Sequence, residues 1–168
     1  VERVDRIASA TSTPVIADGD TGYGGLLNVD HTVRGYERAG ACAIQLEDQV
    51  SPKKCGHTPN RKVIPVEDMV SKIKVALNAR GSEDFLVIAR TDSRTGLGIE
   101  EAIRRGQAFA DAGADIIFIE SPEVDDEMDE YGRRIDKPLL ANIVVGGSTP
   151  LLSEKELADL GYQLAIFP

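Results

Sequence analysis

Three stretches of the chain repeat one design: Glu37–Glu47 "ERAGACAIQLE", Ala110–Glu120 "ADAGADIIFIE" and Ala158–Pro168 "ADLGYQLAIFP". Each reads as a helix end, a glycine just past it, and an apolar run of strand length. Six such runs recur: 14–17, 42–46, 85–89, 116–119, 139–143 and 163–167. Between them lie segments with helical spacing, as in Val66, Met69, Val70, Ile73, Ala76 and Leu77, and again in Ile99, Ala102, Ile103, Phe109 and Ala110. Gly40, Gly81, Gly113 and Gly161 mark the expected helix ends. A near-continuous apolar strand is one covered on both faces, and helices joining such strands call for parallel pairing with right-handed crossovers.

Two α/β architectures satisfy this pattern, an open doubly wound sheet and a (β/α)8 barrel of the TIM type. No Gly-x-Gly-x-x-Gly follows any strand, which weighs against a nucleotide-binding open sheet. The barrel is favoured because polar residues stand where barrel active sites are built, at the C-terminal ends of successive strands: Asp18 and Asp20, Glu47 and Asp48, Arg90 and Asp92, Glu120, and Asn142. A complete barrel of this type takes about 250 residues. The 168 residues with six strands are therefore expected to form one incomplete (β/α) barrel domain spanning 1–168, roughly one unit short at each end.

The net charge of −9 and the lack of a basic stripe exclude a nucleic-acid footprint. No apolar run reaches the length of a membrane span, so no membrane partner is expected. Two cysteines, Cys42 in a strand-like run and Cys55 in a loop, make no disulfide framework. Reduced thiols and a cytoplasmic location are the simpler reading.

"ADGDTGYGG" sets Asp18 and Asp20 two apart at a strand end, where both carboxylates can lean to one side. With Glu47 from the next strand they form a cluster whose repulsion calls for a cation or a proton, and a hard divalent ion such as Mg²⁺ suits oxygen ligands. The competing reading has the two aspartates simply capping the turn. "SPKKCGHTPN" places Cys55 beside Lys53, Lys54 and His57 in a proline-bounded loop, where positive charge favours thiolate. Such a thiol can be a nucleophile, a metal ligand, a proton donor or a plain loop residue. Arg90 in "VIARTDSR" can grip a carboxylate in two-pronged fashion, with Glu120 as its expected partner, and Asn142 can donate to a ligand or to backbone.

"ADGDTGYG", "QLEDQVSPKKCGH", "VIARTDSR", "FIES" and "LLANIVVGGSTP", in this order at strand ends, resemble the isocitrate lyase and phosphoenolpyruvate mutase superfamily, particularly its short members similar to methylisocitrate lyase. The resemblance implies a barrel, Mg²⁺ with Mn²⁺ as a substitute, and a homo-oligomer, a tetramer when full length. It implies Asp18, Asp20 and Glu47 at the metal, directly or through water, and Lys53, Cys55 and His57 as catalytic groups on a gating loop that includes Gly56. Arg90, Asn142 and Gly56 would hold a small carboxylate substrate, with Glu120 completing the catalytic set. The implied reaction is cleavage of a 2-hydroxy di- or tricarboxylate, of methylisocitrate or 2-alkylmalate type, to a 2-oxo acid and a second carboxylic acid, with Cys55 as proton donor. Carboxyphosphonoenolpyruvate phosphonomutase and oxaloacetate hydrolase or decarboxylase chemistry share the scaffold, and an inactive truncated scaffold is the reading from outside catalysis. The family's Ser-Gly-Gly substrate cradle and its final helices fall outside this sequence.

Overall fold

The computed structural model describes residues 1–56, 58, 60–147 and 149–168. After helix α1 (Glu2–Ser9), strands and helices alternate: β1 (Ile16–Asp18), α2 (Leu26–Arg38), β2 (Ala43–Glu47), α3 (Val66–Ala79), β3 (Leu86–Thr91), the single turn α4 (Arg94–Leu97), α5 (Ile99–Asp111), β4 (Ile116–Ile119), α6 (Asp125–Arg134), β5 (Leu139–Asn142), α7 (Glu154–Asp159) and β6 (Tyr162–Ile166). All five pairings are parallel, and the strands lie in the order β1-β2-β3-β4-β5-β6. That order decides between the two architectures. A doubly wound sheet reverses direction at a switch point, whereas a barrel adds each strand to the same side of the last. The chain forms a partial (β/α) barrel.

The strand period of two explains what each face carries. Ala17, Ile44, Leu46, Val87, Ala89, Ile117, Ile119, Leu139 and Ala141 belong to the large core that includes Val33, Met69, Ile73, Ile103, Phe109 and Tyr131 from the helices. The opposite parity, Ala43, Ile88, Ile116, Phe118 and Leu140, forms a second, smaller apolar cluster on the concave side. Continuing that parity toward the strand ends gives Asp18 on β1, Glu47 on β2, Arg90 on β3, Glu120 after β4 and Asn142 on β5. One alternation therefore fills the lumen with apolar groups and then places five polar ones at its mouth.

Expected and observed strands agree within one or two residues, and the observed ends of β1, β2 and β3 reach further toward the polar residues. Gly40, Gly113 and Gly161 close helices with φ of 87°, 100° and 89°, as glycine past a C-terminus does. Gly81 does not follow this pattern. The helix before it ends at Arg80 in an extended conformation, and the Gly81 amide instead donates to Glu37 Oε2 at 2.7 Å. Among the described residues no helix is long and apolar enough to cross a membrane.

Candidate active site

The first strand end is held by backbone before any side chain contributes. Gly19 donates to the Gln45 carbonyl at 2.8 Å and Glu47 donates to the Asp20 carbonyl at 2.9 Å, so the Asp18–Asp20 turn is laid against the end of β2. Lys72 of α3 adds a bond to the Thr21 carbonyl at 2.7 Å. Asp18 Oδ1 accepts from the Asp20 amide at 2.8 Å, so the turn-capping role expected as an alternative is present. Asp20 has φ +47°, a conformation uncommon for a residue with a side chain and one that clusters at functional sites.

Around this turn the three acidic residues converge on one ammonium group. Lys53 Nζ stands 2.5 Å from Asp20 Oδ1, 3.7 Å from Glu47 Oε2 and 4.0 Å from Asp18 Oδ2. Burial lowers the Lys53 pKa, but the bond to Asp20 and the charges of Glu47 and Asp18 outweigh it and raise the value overall. Glu47 is 1% exposed, and among the described residues neither of its carboxylate oxygens has a hydrogen-bond donor. Burial, opposed by Arg90 and Lys53 and aided by Asp92 and Asp18, pushes its carboxyl up to about 7. Leaving such a group without donors is costly.

Among the described residues no three His, Cys, Asp or Glu side chains are drawn together into a cation cage. The donor chemistry nevertheless fits Mg²⁺, which keeps several waters and takes one or two carboxylates rather than a full protein cage. Two donor-free oxygens on a buried glutamate, with Asp18 and Asp20 beside it, are the ligands such an ion would use directly or through water.

Arg90 occupies the next position along the mouth and faces Glu47 across the β2–β3 register. The expected Glu120 partner is present at 3.4 Å, but a closer carboxylate intervenes. Asp92 accepts from Arg90 Nε and Nη2, both at 2.9 Å, which makes the two-pronged pair. Burial alone would lower the Arg90 pKa, and Asp92, Glu120 and Glu47 together raise it instead. The guanidinium also stacks 5.0 Å from the Phe118 ring centroid. Asn142 Nδ2 reaches Glu120 at 3.4 and 3.5 Å, and its Oδ1 is buried without a partner. Arg90, Glu120 and Asn142 line a cleft of about 570 Å³ together with Lys53, Lys54, Cys55, Gly56 and Val144.

The segment carrying Cys55 is laid over this cleft. Gln49 fastens its start, exchanging bonds with Lys54 N and O at 3.0 and 2.9 Å. Gly56 lies so close to Arg90 that an added Cβ would sit 2.5 Å from Nη2 and 3.0 Å from Glu120 Cδ, so glycine is required for contact rather than for backbone freedom. Cys55 is exposed and free. The two lysines do not both crowd it: Lys53 turns to the carboxylates, and Lys54 Nζ approaches the Asn60 carbonyl at 3.4 Å. His57 lies outside the described residues. His31, exposed on α2, and Cys42, whose thiol meets the Val15 carbonyl at 3.4 Å, stand apart from the cleft.

Sequence reasoning placed Asp92 at a strand end without a role, and missed Ser121 and Arg61. Ser121 carries φ +59°, and its hydroxyl donates to the Gly56 carbonyl at 3.1 Å. The repeated strand-end polarity was the available signal for Ser121. Nothing in the local spacing marks Arg61, whose side-chain partners Asp92 and Thr95 are 31 and 34 residues away.

Comparison with known proteins agrees with this fold. The chain is 54% identical over all 168 residues to a 2,3-dimethylmalate lyase of Eubacterium barkeri, covering 58% of that protein's length. A crystal structure of 2,3-dimethylmalate lyase, described as a PEP mutase/isocitrate lyase superfamily member, superposes with a TM-score of 0.95 at 40% identity, over 99% of this chain and 57% of that one. A phosphonopyruvate hydrolase solved as a complex with oxalate and Mg²⁺ superposes with a TM-score of 0.82 at 38% identity, over 98% and 57%. The chain thus spans a little over half the length of these relatives. Residues 1–167 match the family described as phosphoenolpyruvate phosphomutase, and the chain belongs to that family.

Proposed function

We propose that residues 1–168 are the larger part of a Mg²⁺-dependent carbon–carbon lyase that cleaves a 2-hydroxy di- or tricarboxylate of the alkylmalate or methylisocitrate type into a 2-oxo acid and a second carboxylic acid. The observation that carries this reading is Glu47, buried beside Asp18 and Asp20 with two donor-free oxygens and facing Arg90 across the register. A cation held there, next to a guanidinium that binds carboxylate, suits a ligand bearing both a hydroxyl and a carboxylate. The phosphonopyruvate hydrolase was solved as a complex with oxalate and Mg²⁺, which supports a Mg²⁺-dependent reading of this chain.

When bound, the metal supplies a Lewis acid that lowers the energy of an alkoxide. The chain's own groups do the rest. Arg90 pairs with the substrate carboxylate, oriented by Asp92. Asn142 and Glu120 fix the remaining polar edge, and Lys53 offsets negative charge as it builds. As the carbon–carbon bond breaks, the hydroxyl proton passes to a carboxylate of the Asp18–Asp20–Glu47 cluster, one fragment becomes the oxo acid, and the other keeps the bonding pair on carbon. Cys55 gives its proton to that carbon. A docked Cys55 segment keeps water from the carbanion.

Replacing Cys55 tests the assignment. In the natural full-length protein, Cys55→Ser is expected to lower oxo acid release from a 2-alkylmalate by roughly a hundredfold or more while leaving calorimetric binding of Mg²⁺ and pyruvate intact. Unchanged turnover would remove Cys55 from the chemistry. Release of inorganic phosphate from phosphonopyruvate, or of oxalate from oxaloacetate, in place of oxo acid from alkylmalates would assign the scaffold to hydrolysis.

A further inference from the structure

Arg61 is buried, its side chain 3% exposed, and it does not line the cleft. Its Nη1 donates to Asp92 Oδ1 at 2.9 Å and to the Gly56 carbonyl, and its Nη2 donates to Thr95 Oγ1 at 2.5 Å. Asp92 Oδ1 is also the acceptor for Arg90 Nη2 at 2.9 Å. One carboxylate oxygen therefore holds two guanidinium groups. The first faces the substrate cleft, and the second holds the Gly56 carbonyl. On its other side the same Gly56 carbonyl accepts from Ser121, and the glycine is pressed against Arg90.

We propose that Arg61 is a positioning residue that latches the Cys55–Gly56 segment over Arg90, using the Asp92 carboxylate as a shared anchor so that loop docking and guanidinium orientation are set together. The inference rests on Cys55 acting over this cleft. It assigns the latch to a residue outside the acid cluster and outside the loop's own Lys-Lys-Cys-Gly run. An arginine is needed because a planar fork reaches a carboxylate, a carbonyl and a hydroxyl at once, whereas an ammonium on a flexible stem serves one strong acceptor well. Removing the fork leaves both Arg90–Asp92 bonds in place. Ground-state binding of a carboxylate should then survive while the docked geometry is lost, a kcat effect rather than a KM effect.

The test uses Arg61→Met and Arg61→Lys in the natural full-length protein, with kinetics on a 2-alkylmalate and hydrogen exchange measured with Mg²⁺ and pyruvate present. For Arg61→Met we expect kcat to fall roughly thirtyfold with KM within about threefold. Amides of residues 53–56 should exchange about tenfold faster, with exchange in the barrel strands unchanged. Arg61→Lys should fall between the two in both readouts. A kcat within about twofold of the parent, unchanged loop exchange, or faster exchange throughout the strands would each overturn the proposal. If Arg61→Met does not fold, Thr95→Val removes a single anchor and should speed loop exchange about threefold, and no change there would overturn it as well. If Cys55→Ser keeps its turnover, the reading of function fails, while loop exchange still decides the latch.

Discussion

Glu47 and Asp48 are neighbours in sequence and buried alike, at 1% and 0% exposure, yet their surroundings are opposite. Asp48 is saturated: Oδ1 accepts from the Asp92 amide at 3.0 Å, and Oδ2 accepts from Thr91 Oγ1 at 2.7 Å and Arg105 Nη1 at 2.9 Å. Among the described residues Glu47 accepts from no donor, and its nearest cations, Lys53 and Arg90, stand 3.7 Å away. The two carboxylates point to different sides of one strand end. On the helix side, Asp48 joins β2 to β3 and, through Arg105, to the Ile64 carbonyl at the far end of the Cys55 segment. On the lumen side, the Glu47 carboxylate has ion pairs at 3.7 Å with Lys53 and Arg90 but no hydrogen bond among the described residues. A charge whose demands are met by protein is part of the scaffold, and one whose demands are unmet is available to a ligand.

The largest consequence falls on the saturated side. Arg105→Met leaves Asp48 buried without its cation, and deletion of one partner of a buried pair costs about 3–5 kcal/mol. Chemical denaturation should show a loss of that size. The Ile64 carbonyl loses its donor in the same variant, so the Cys55 segment should loosen at its base. A loss below about 1 kcal/mol would mean that Thr91 and the Asp92 amide suffice, and the contrast between the two carboxylates would narrow.

Next in size is a change that should affect turnover without affecting the fold. Gly56→Ala introduces a methyl group 2.5 Å from Arg90 Nη2, a contact relieved only by lifting the segment or displacing the guanidinium. Turnover should fall roughly a hundredfold, equivalent to about 2.7 kcal/mol of barrier. The unfolding midpoint should stay within about 2 °C, because the segment contributes little to the main core. Equal damage to stability would show that the docked segment is part of the scaffold after all.

The difference between the two sides also accounts for what could be read from sequence. The repeated glycine-and-strand junctions gave the fold because a buried parallel strand requires a continuous apolar run, and period-two alternation then carries Asp18, Glu47, Arg90, Glu120 and Asn142 to one face. Those positions depend on local pattern alone. The network that orients them depends on distant segments: Asp48 meets Arg105 across 57 residues, Asp92 meets Arg61 across 31, and Arg94 meets Glu127 across 33. A helix reading gives Arg105 a place on α5 but not a partner, and the same spacing suits a solvated arginine. Arg90 was matched with Glu120 for this reason, since the two stand on adjacent strands, whereas the closer Asp92 lies on Arg90's own strand end, two residues on. Gly81 misled because a glycine before a strand is as compatible with a loop that borrows Glu37 as with a helix C-terminus.

The smallest effect concerns Glu47 itself and runs opposite to the first. In metal-free protein its folded pKa of about 7 lies above its ordinary value of 4.5, so the folded state binds a proton that the unfolded state releases. Stability is then highest below about pH 4.5 with respect to this group, and falls as pH rises toward 7 and the buried charge forms. Gln at position 47 carries no such charge. Glu47→Gln should therefore be more stable than the parent by about 1–3 kcal/mol at pH 8 in the presence of a chelator, and the difference should vanish near pH 4.5. The same variant should lose Mg²⁺ binding by calorimetry and turnover with it. A residue whose replacement stabilises the fold while abolishing ligand binding is retained for the ligand. If Glu47→Gln is instead destabilising at pH 8, Lys53 and Arg90 satisfy Glu47 as fully as Arg105 satisfies Asp48, and the lumen carboxylate is a structural one.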